Sequence, residues 1–263
     1  MYIAKRTIEE LKAQGYELDF SSVFNKSLEN FKKTALTSGI GLLLISLLLV
    51  VFFGVIIFAV IGISLFTDKA KNPIEIQNLD LIGLAIYWMA LTTFSAFFYP
   101  LSAGFLKMAQ DASKDDSLSL STVFSFYFHK KTGSIMMAGA LISGVSNFIS
   151  TALTFAHWNF IGIIVSFFIS AITLLTIPII IFDNKPAVEA IEASIQIVAK
   201  QFLIIFALMI IAGIFSILGI FGLCIGIFFT LPFLYSFHYT LYAEIIGDPI
   251  ELEEVVQNDG IDL

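Results

Sequence analysis

Ser143, Asn147, Ser150, Thr151 and Thr154 recur at helical spacing inside an apolar run, and Ser166, Ser170, Thr173 and Thr176 do the same in the next one. Residues three and four apart share a helix face, so each run presents a stripe of hydroxyls, one of which carries an amide. Two uses stay open. Small hydroxyl side chains hold helices together in lipid, at about 0.6 kcal/mol per hydrogen bond; the same groups can instead line a wet cavity for a small or lipidic solute.

Stronger chemistry finds few candidates. An acid, lysine or arginine at mid-membrane costs about 2.5 to 3.5 kcal/mol and would mark function by default, yet no apolar run carries one in its interior. This argues against a proton-coupled pump, a voltage sensor or an acid/base enzyme at the midplane. His129, His157 and His238 are scattered, with no pair at ligand spacing, so neither a metal nor another cofactor is expected. His238, among Tyr235, Tyr239 and Tyr242, reads as an interfacial hydrogen-bonding residue. No phosphate loop or nucleophile elbow appears, and the expectation is a protein that is not an enzyme.

The elements that must position these groups follow from composition. The chain has 58% hydrophobic and 13% charged residues, with a mean hydropathy of +0.92, too little polar surface for a soluble globule. Uncharged runs fall near Ala35 to Phe66, Leu81 to Leu106, Gly133 to Phe155, Ile161 to Ile181, Phe202 to Leu218 and Leu223 to Tyr242. Each reaches or approaches the roughly 20 residues that cross about 30 Å of hydrocarbon as a helix. The charged start, MYIAKRTIEE, lacks an apolar signal region, so the first span is expected to serve as its own insertion signal. Cys224 reads as a small packed residue.

Lysines and arginines resist translocation. Twelve lie before the first run, between the second and third, or between the fourth and fifth, while Lys69 and Lys71 fall on the other side. That bias places both termini in the cytoplasm of an inner-membrane protein. The formal charge of −7 resides in the C-terminal end, where seven acids follow Lys200 without a base; residues 247–263 read as a solvated acidic tail, and nucleic acid is not an expected partner.

Amphipathic segments precede alternate spans. Phe20, Phe24, Leu28 and Phe31 share one face, and Val188, Ile191, Ile195 and Val198 another, opposite Glu189, Glu192, Gln196 and Lys200. Between them, Ser121 to Phe124 and Lys130 to Thr132 echo Ser21 to Phe24 and Lys32 to Thr34. Helices lying in the interface are expected near residues 20–33, 119–131 and 184–200, with Lys32, Lys33, Lys130, Lys131 and Lys200 as candidate lipid-headgroup contacts. The expected fold is all-α and polytopic: a segment of 1–19, then a domain of 20–246 with six spans as three hairpins, each behind an interfacial helix. Membrane lipids and other membrane proteins are the expected partners, and the expected function is to organise lipid or a membrane protein complex without catalysis, with a transporter or channel for a small or lipidic solute as the alternative. Pro100, Pro178 and Pro232 favour kinks in the second helix of each hairpin, although prolines are common in membrane helices generally.

The succession LLTIPIIIFDN, PAVEAIEASIQIVAKQF and GIFFTLPFLYSFHYTLYAE resembles a group of bacterial integral membrane proteins of unknown function, related to the membrane domain attached to some glycerophosphodiester phosphodiesterases. The likeness spans residues 20–246 in pattern and spacing. It implies a six-helix membrane fold and carries no catalytic residue; the soluble phosphodiesterase barrel and its metal site are absent, so that activity does not transfer.

Overall fold

The computed structural model describes residues 6–65, 79–222 and 225–247, all helix, turn or irregular chain. Thr7 starts α1 (Ile8–Gln14), accepting a hydrogen bond from the Glu10 N–H while the Glu10 carboxylate accepts from the Thr7 N–H, a reciprocal cap for two otherwise unpaired donors. The helix buries Ile8 and Leu11. It is tied down by Tyr16, whose hydroxyl donates to the Ile197 carbonyl at 3.0 Å, and by the Gln201 amide, which donates to the Tyr16 carbonyl at 2.9 Å.

Burial raises the pKa of Tyr16 above that of a free tyrosine, and the nearby Arg6 pulls it down by less. The unfolded chain therefore ionises this phenol from about pH 10, while the folded chain keeps it neutral. Its contribution to stability is complete below pH 10 and is lost as pH rises beyond it. Tyr16→Phe is expected to cost about 1 kcal/mol at neutral pH and to flatten the alkaline decline, as read from unfolding midpoints between pH 7 and 11.

Asp19 accepts from the N–H groups of Ser21 and Ser22 at the start of α2, which runs unbroken from Phe20 to Leu65. The expected interfacial helix of residues 20–33 and the span after it are thus one element, since no proline or unsatisfied turn separates them. Its apolar face meets protein: Phe24 and Phe31 pack edge-on to Phe215 and Phe233, with ring centres 5.6–6.4 Å apart. A polar stripe beside it, unread in the sequence, is also buried. There Asn30 donates to the Ala109 carbonyl at 2.7 Å, and Thr34 and Ser236 share a hydrogen bond of 3.1 Å.

Asp80 caps α3 (Leu81–Ser113), which continues through Pro100. Next comes α4 (Ser121–Phe124) with a tight 3-10 turn over Ser125–Tyr127, shorter than the helix expected over 119–131. Hydroxyls compete with the helical ladder here. Ser125 donates to the Thr122 carbonyl at 2.7 Å and Thr132 to the Phe126 carbonyl at 2.6 Å. α4 sits so close to α3 that Gly104 faces the Val123 backbone, with space for no side chain.

α5 (Thr132–Phe155) packs along α3 and turns at His157 into α6 (Asn159–Ile172). Chain residues Thr173, Leu174 and Leu175 break the helix before α7 (Thr176–Phe182), whose residues from Thr176 to Ile181 are all buried. Pro178 falls in the first turn of α7, where a missing N–H costs nothing. Pro232 likewise begins α11 (Pro232–Ile245), after the short α10 (Gly226–Thr230). Two of the expected kinks are therefore restarts of a helix.

α8 (Ala187–Lys200) follows Pro186, and α9 (Phe202–Ile217) ends in a 3-10 turn over Leu218–Phe221. α8 buries Ala187, Ala190, Ala193, Ser194, Ile197 and Val198, leaving Val188 and Ile195 exposed. Small residues with Ile197 and Val198 thus form the side packed on the bundle, while Val188 and Ile195 of the sequence-derived apolar face lie on the exposed side. Five stretches are long and apolar enough to cross a membrane: Phe20–Val55, Leu81–Ser113, Thr132–Phe155, Asn159–Phe182 and Phe202–Phe221. The sixth expected span is divided at Leu231, and its first residues, with Cys224, Lys69, Lys71 and the acidic tail from residue 248, lie outside the described residues.

Candidate functional site: a polar cavity among the helices

The hydroxyl stripes meet. Ser143 and Asn147 of α5, Ser166 and Ser170 of α6 and Thr173 at the helix break line one cavity of about 520 Å³. Ser150 and Thr151 do not. Ser150 packs against Gly162, whose added Cβ would lie 3.4 Å from the serine oxygen. Thr151 joins an apolar groove with Trp88 and Phe148.

Further walls come from elements whose role was not read in the sequence. α3 adds Ser95, Tyr99 and Ser102, a four-then-three spacing that already marked one face, and α11 adds Tyr235 and His238. Tyr235 is fixed by stacking on Phe105, with ring centres 4.8 Å apart and planes 21° off parallel. His238, expected at the interface, belongs to this wall. Among the described residues no aspartate, glutamate, lysine or arginine lines the cavity.

Some wall groups are internally satisfied, as when Ser143 donates to the Gly139 carbonyl at 2.6 Å and Thr173 to the Ile169 carbonyl at 2.7 Å. Asn147 is different. Its amide nitrogen is buried and has no hydrogen-bond partner among the described residues, a state that costs about 1 to 3 kcal/mol. Asn147 lines the cavity, and a turn of its side chain would present this donor to an occupant.

The broken segment beside the cavity is held by one hydroxyl. Ser194 of α8, fully buried, accepts from the Leu175 N–H at 3.1 Å and donates to the Ile172 carbonyl at 3.0 Å. In a membrane such freed backbone groups must find protein partners. Ser194→Ala is expected to lower stability by about 2 kcal/mol, whereas Ser194→Thr retains the hydroxyl but adds a methyl to a packed site; thermal unfolding of the two variants separates the lost hydrogen bonds from crowding.

The candidate headgroup lysines are spread over the surface. Lys32, Lys130 and Lys200 are exposed. Lys33 pairs with Asp115 at 2.5 Å, and Lys131 donates to the Ile181 carbonyl at 2.5 Å. Burial lowers the pKa of Lys131, and Asp183 offsets part of that. Among the described residues no three histidine, cysteine, aspartate or glutamate side chains group to hold a metal. No protein-family model matches the chain, and comparison with curated proteins and with solved structures likewise finds no significant match.

Proposed function

We propose that the chain is a multi-pass membrane protein that admits a small uncharged or lipidic solute into the cavity between α3, α5, α6 and α11, and that it acts as a transporter or channel without catalysing a reaction. The observation that supports this is the cavity of about 520 Å³ with hydroxyl, amide and imidazole groups in its wall and no acid, lysine or arginine. Such a wall offers donors and acceptors to a neutral guest and no counter-charge to an ion. The arrangement behind it is the six-span, three-hairpin one in the cytoplasmic membrane, with both termini inside. The lysine bias and the likeness in pattern to the membrane domain of the phosphodiesterases favour it.

The test uses the single cysteine. In a Cys224→Ser background, Ser146→Cys and Ser170→Cys place a thiol in the wall, and the protein in liposomes is exposed to a membrane-impermeant thiosulfonate from either side. Reaction at these positions, slowed by a neutral polyol such as glycerol, is the expected outcome. A complete lack of reaction from both sides would mean a dry packing seam and end the transport reading.

A second reading has its own observation: large apolar side chains such as Leu48, Phe58, Leu81 and Phe160 are more than 60% exposed, as a lipid-facing surface would be. On this reading the protein organises lipid or a membrane complex.

A further inference from the structure

A second concavity, sharing no residue with the polar cavity, opens where α5 begins and α7 ends. It has a volume of about 580 Å³ and is lined by His129, Lys130, Lys131, Ser134, Asn184 and Lys185, with Ile180 and Pro186 at its floor and edge. Among the described residues no carboxylate lines it. Two acids adjoin it: Asp183 accepts from the Tyr242 hydroxyl at 2.9 Å and acts on Lys131, and Glu189 pairs with Lys185 at 3.5 Å.

The donors are held in place by the local chain. The Lys131 N–H donates to Nδ1 of His129 at 3.2 Å, so in the neutral ring the proton resides on Nε2, the edge left for a ligand. Asn184 adopts the left-handed conformation, with φ of 58°, which turns the chain so that Lys185 comes back beside Lys131. Lys131 is tethered to the Ile181 carbonyl. No side chain caps the first turn of the 24-residue α5, and an added Cβ at Gly133 would meet nothing within 4 Å.

We propose that this concavity binds a phosphate group, with Lys130, Lys131 and Lys185 supplying charge and His129, Ser134 and Asn184 supplying directed hydrogen bonds. Three ammonium groups, of which Lys185 shares its charge with Glu189, match a tetrahedral, multiply charged acceptor better than a carboxylate or a neutral guest. The start of α5 contributes its partial positive charge to the same point. The site gives the lipid-organising reading a specific address, and because it is separate from the cavity, its failure leaves the transport reading untouched and the reverse also holds.

The test compares ligands that differ only in the phosphate. The full chain in a neutral detergent is titrated with dioctanoyl phosphatidic acid, with dioctanoylglycerol and with inorganic phosphate. Phosphatidic acid is expected to bind at least about tenfold more tightly than the diacylglycerol, since charge-assisted hydrogen bonds carry most of the affinity. Lys130→Gln with Lys185→Gln should weaken it by about tenfold or more, and Ser134→Asp, which sets a carboxylate within the site, should abolish it. Lys12→Gln with Lys114→Gln, neither of which lines the concavity, should leave it unchanged. Unfolding midpoints identify which variants are folded, and the exposed lysine pair keeps the test sound if Ser134→Asp is not.

The source of the phosphate is read from the same titrations. Phosphatidic acid binding far more tightly than inorganic phosphate identifies a lipid headgroup, and equal binding of the two identifies a soluble phosphate ester; both support the site. Diacylglycerol binding as tightly as phosphatidic acid, no binding of any phosphate by the native chain, or unchanged binding in the folded lysine pair variant would each overturn it.

Discussion

Asn147→Leu is expected to make the protein more stable and the cavity less competent at the same time. Leucine keeps the branched outline of asparagine, and its bulkier methyl groups have the cavity to enter, whereas an amide nitrogen that is buried without a partner among the described residues is replaced by a group that needs none. Removing that penalty should raise stability by about 1 to 3 kcal/mol. The same change takes an unsatisfied donor from the cavity wall. A neutral solute that had accepted from it should lose about tenfold in affinity or flux, the equivalent of one hydrogen bond of roughly 1.4 kcal/mol. Paired measurements of thermal unfolding and of glycerol protection against thiol modification at Ser170→Cys check both halves. A variant that is stabilised yet equally well protected would show that Asn147 serves helix packing alone.

Gly104→Ala is expected to be the most damaging small substitution among the described residues. An added Cβ would lie 2.6 Å from the Cα and carbonyl carbon of Val123, and neither partner is a flexible side chain that can step aside. Val123 is itself fully buried against Phe105 and Met108. Relief therefore requires α4 to move off α3, and overpacking of this kind costs about 3 kcal/mol or more. The effect should reach the cavity as well, because Tyr99 and Ser102 lie within five residues on α3 and Tyr235 stacks on Phe105. Expression yield, unfolding midpoint and thiol reactivity at the cavity are expected to fall together, while Gly133→Ala, which meets open space, should be silent by the first two.

Much of the membrane-crossing architecture was legible because the bilayer sets a length that charges must respect. The seam of Ser143, Asn147, Ser166, Ser170 and Thr173 was legible because hydroxyls repeating every three or four residues stand out from aliphatic neighbours. The α3 wall carried the same signal in Ser95, Tyr99 and Ser102 but was masked by phenylalanines on both sides. Less legible were segments where small residues do the packing. In α8 the alanines and Ser194 face the bundle with Ile197 and Val198, a packed side that the search for an aliphatic interfacial strip did not look for. Around residues 119–131 the echo of residues 21–24 and 32–34 suggested a helix, yet serine and threonine hydroxyls bonded locally and shortened it. Nor could spacing alone bring Lys185 beside Lys131, since their approach depends on the turn at Asn184.

The acid-free wall of the cavity has a consequence for how its occupant would feel the electrical state of the cell. Each elementary charge carried across a potential of 100 mV is worth about 2.3 kcal/mol. An uncharged guest crossing a wall without aspartate, glutamate, lysine or arginine carries none of that work. Its distribution would follow concentration alone, whether the membrane is energised or not.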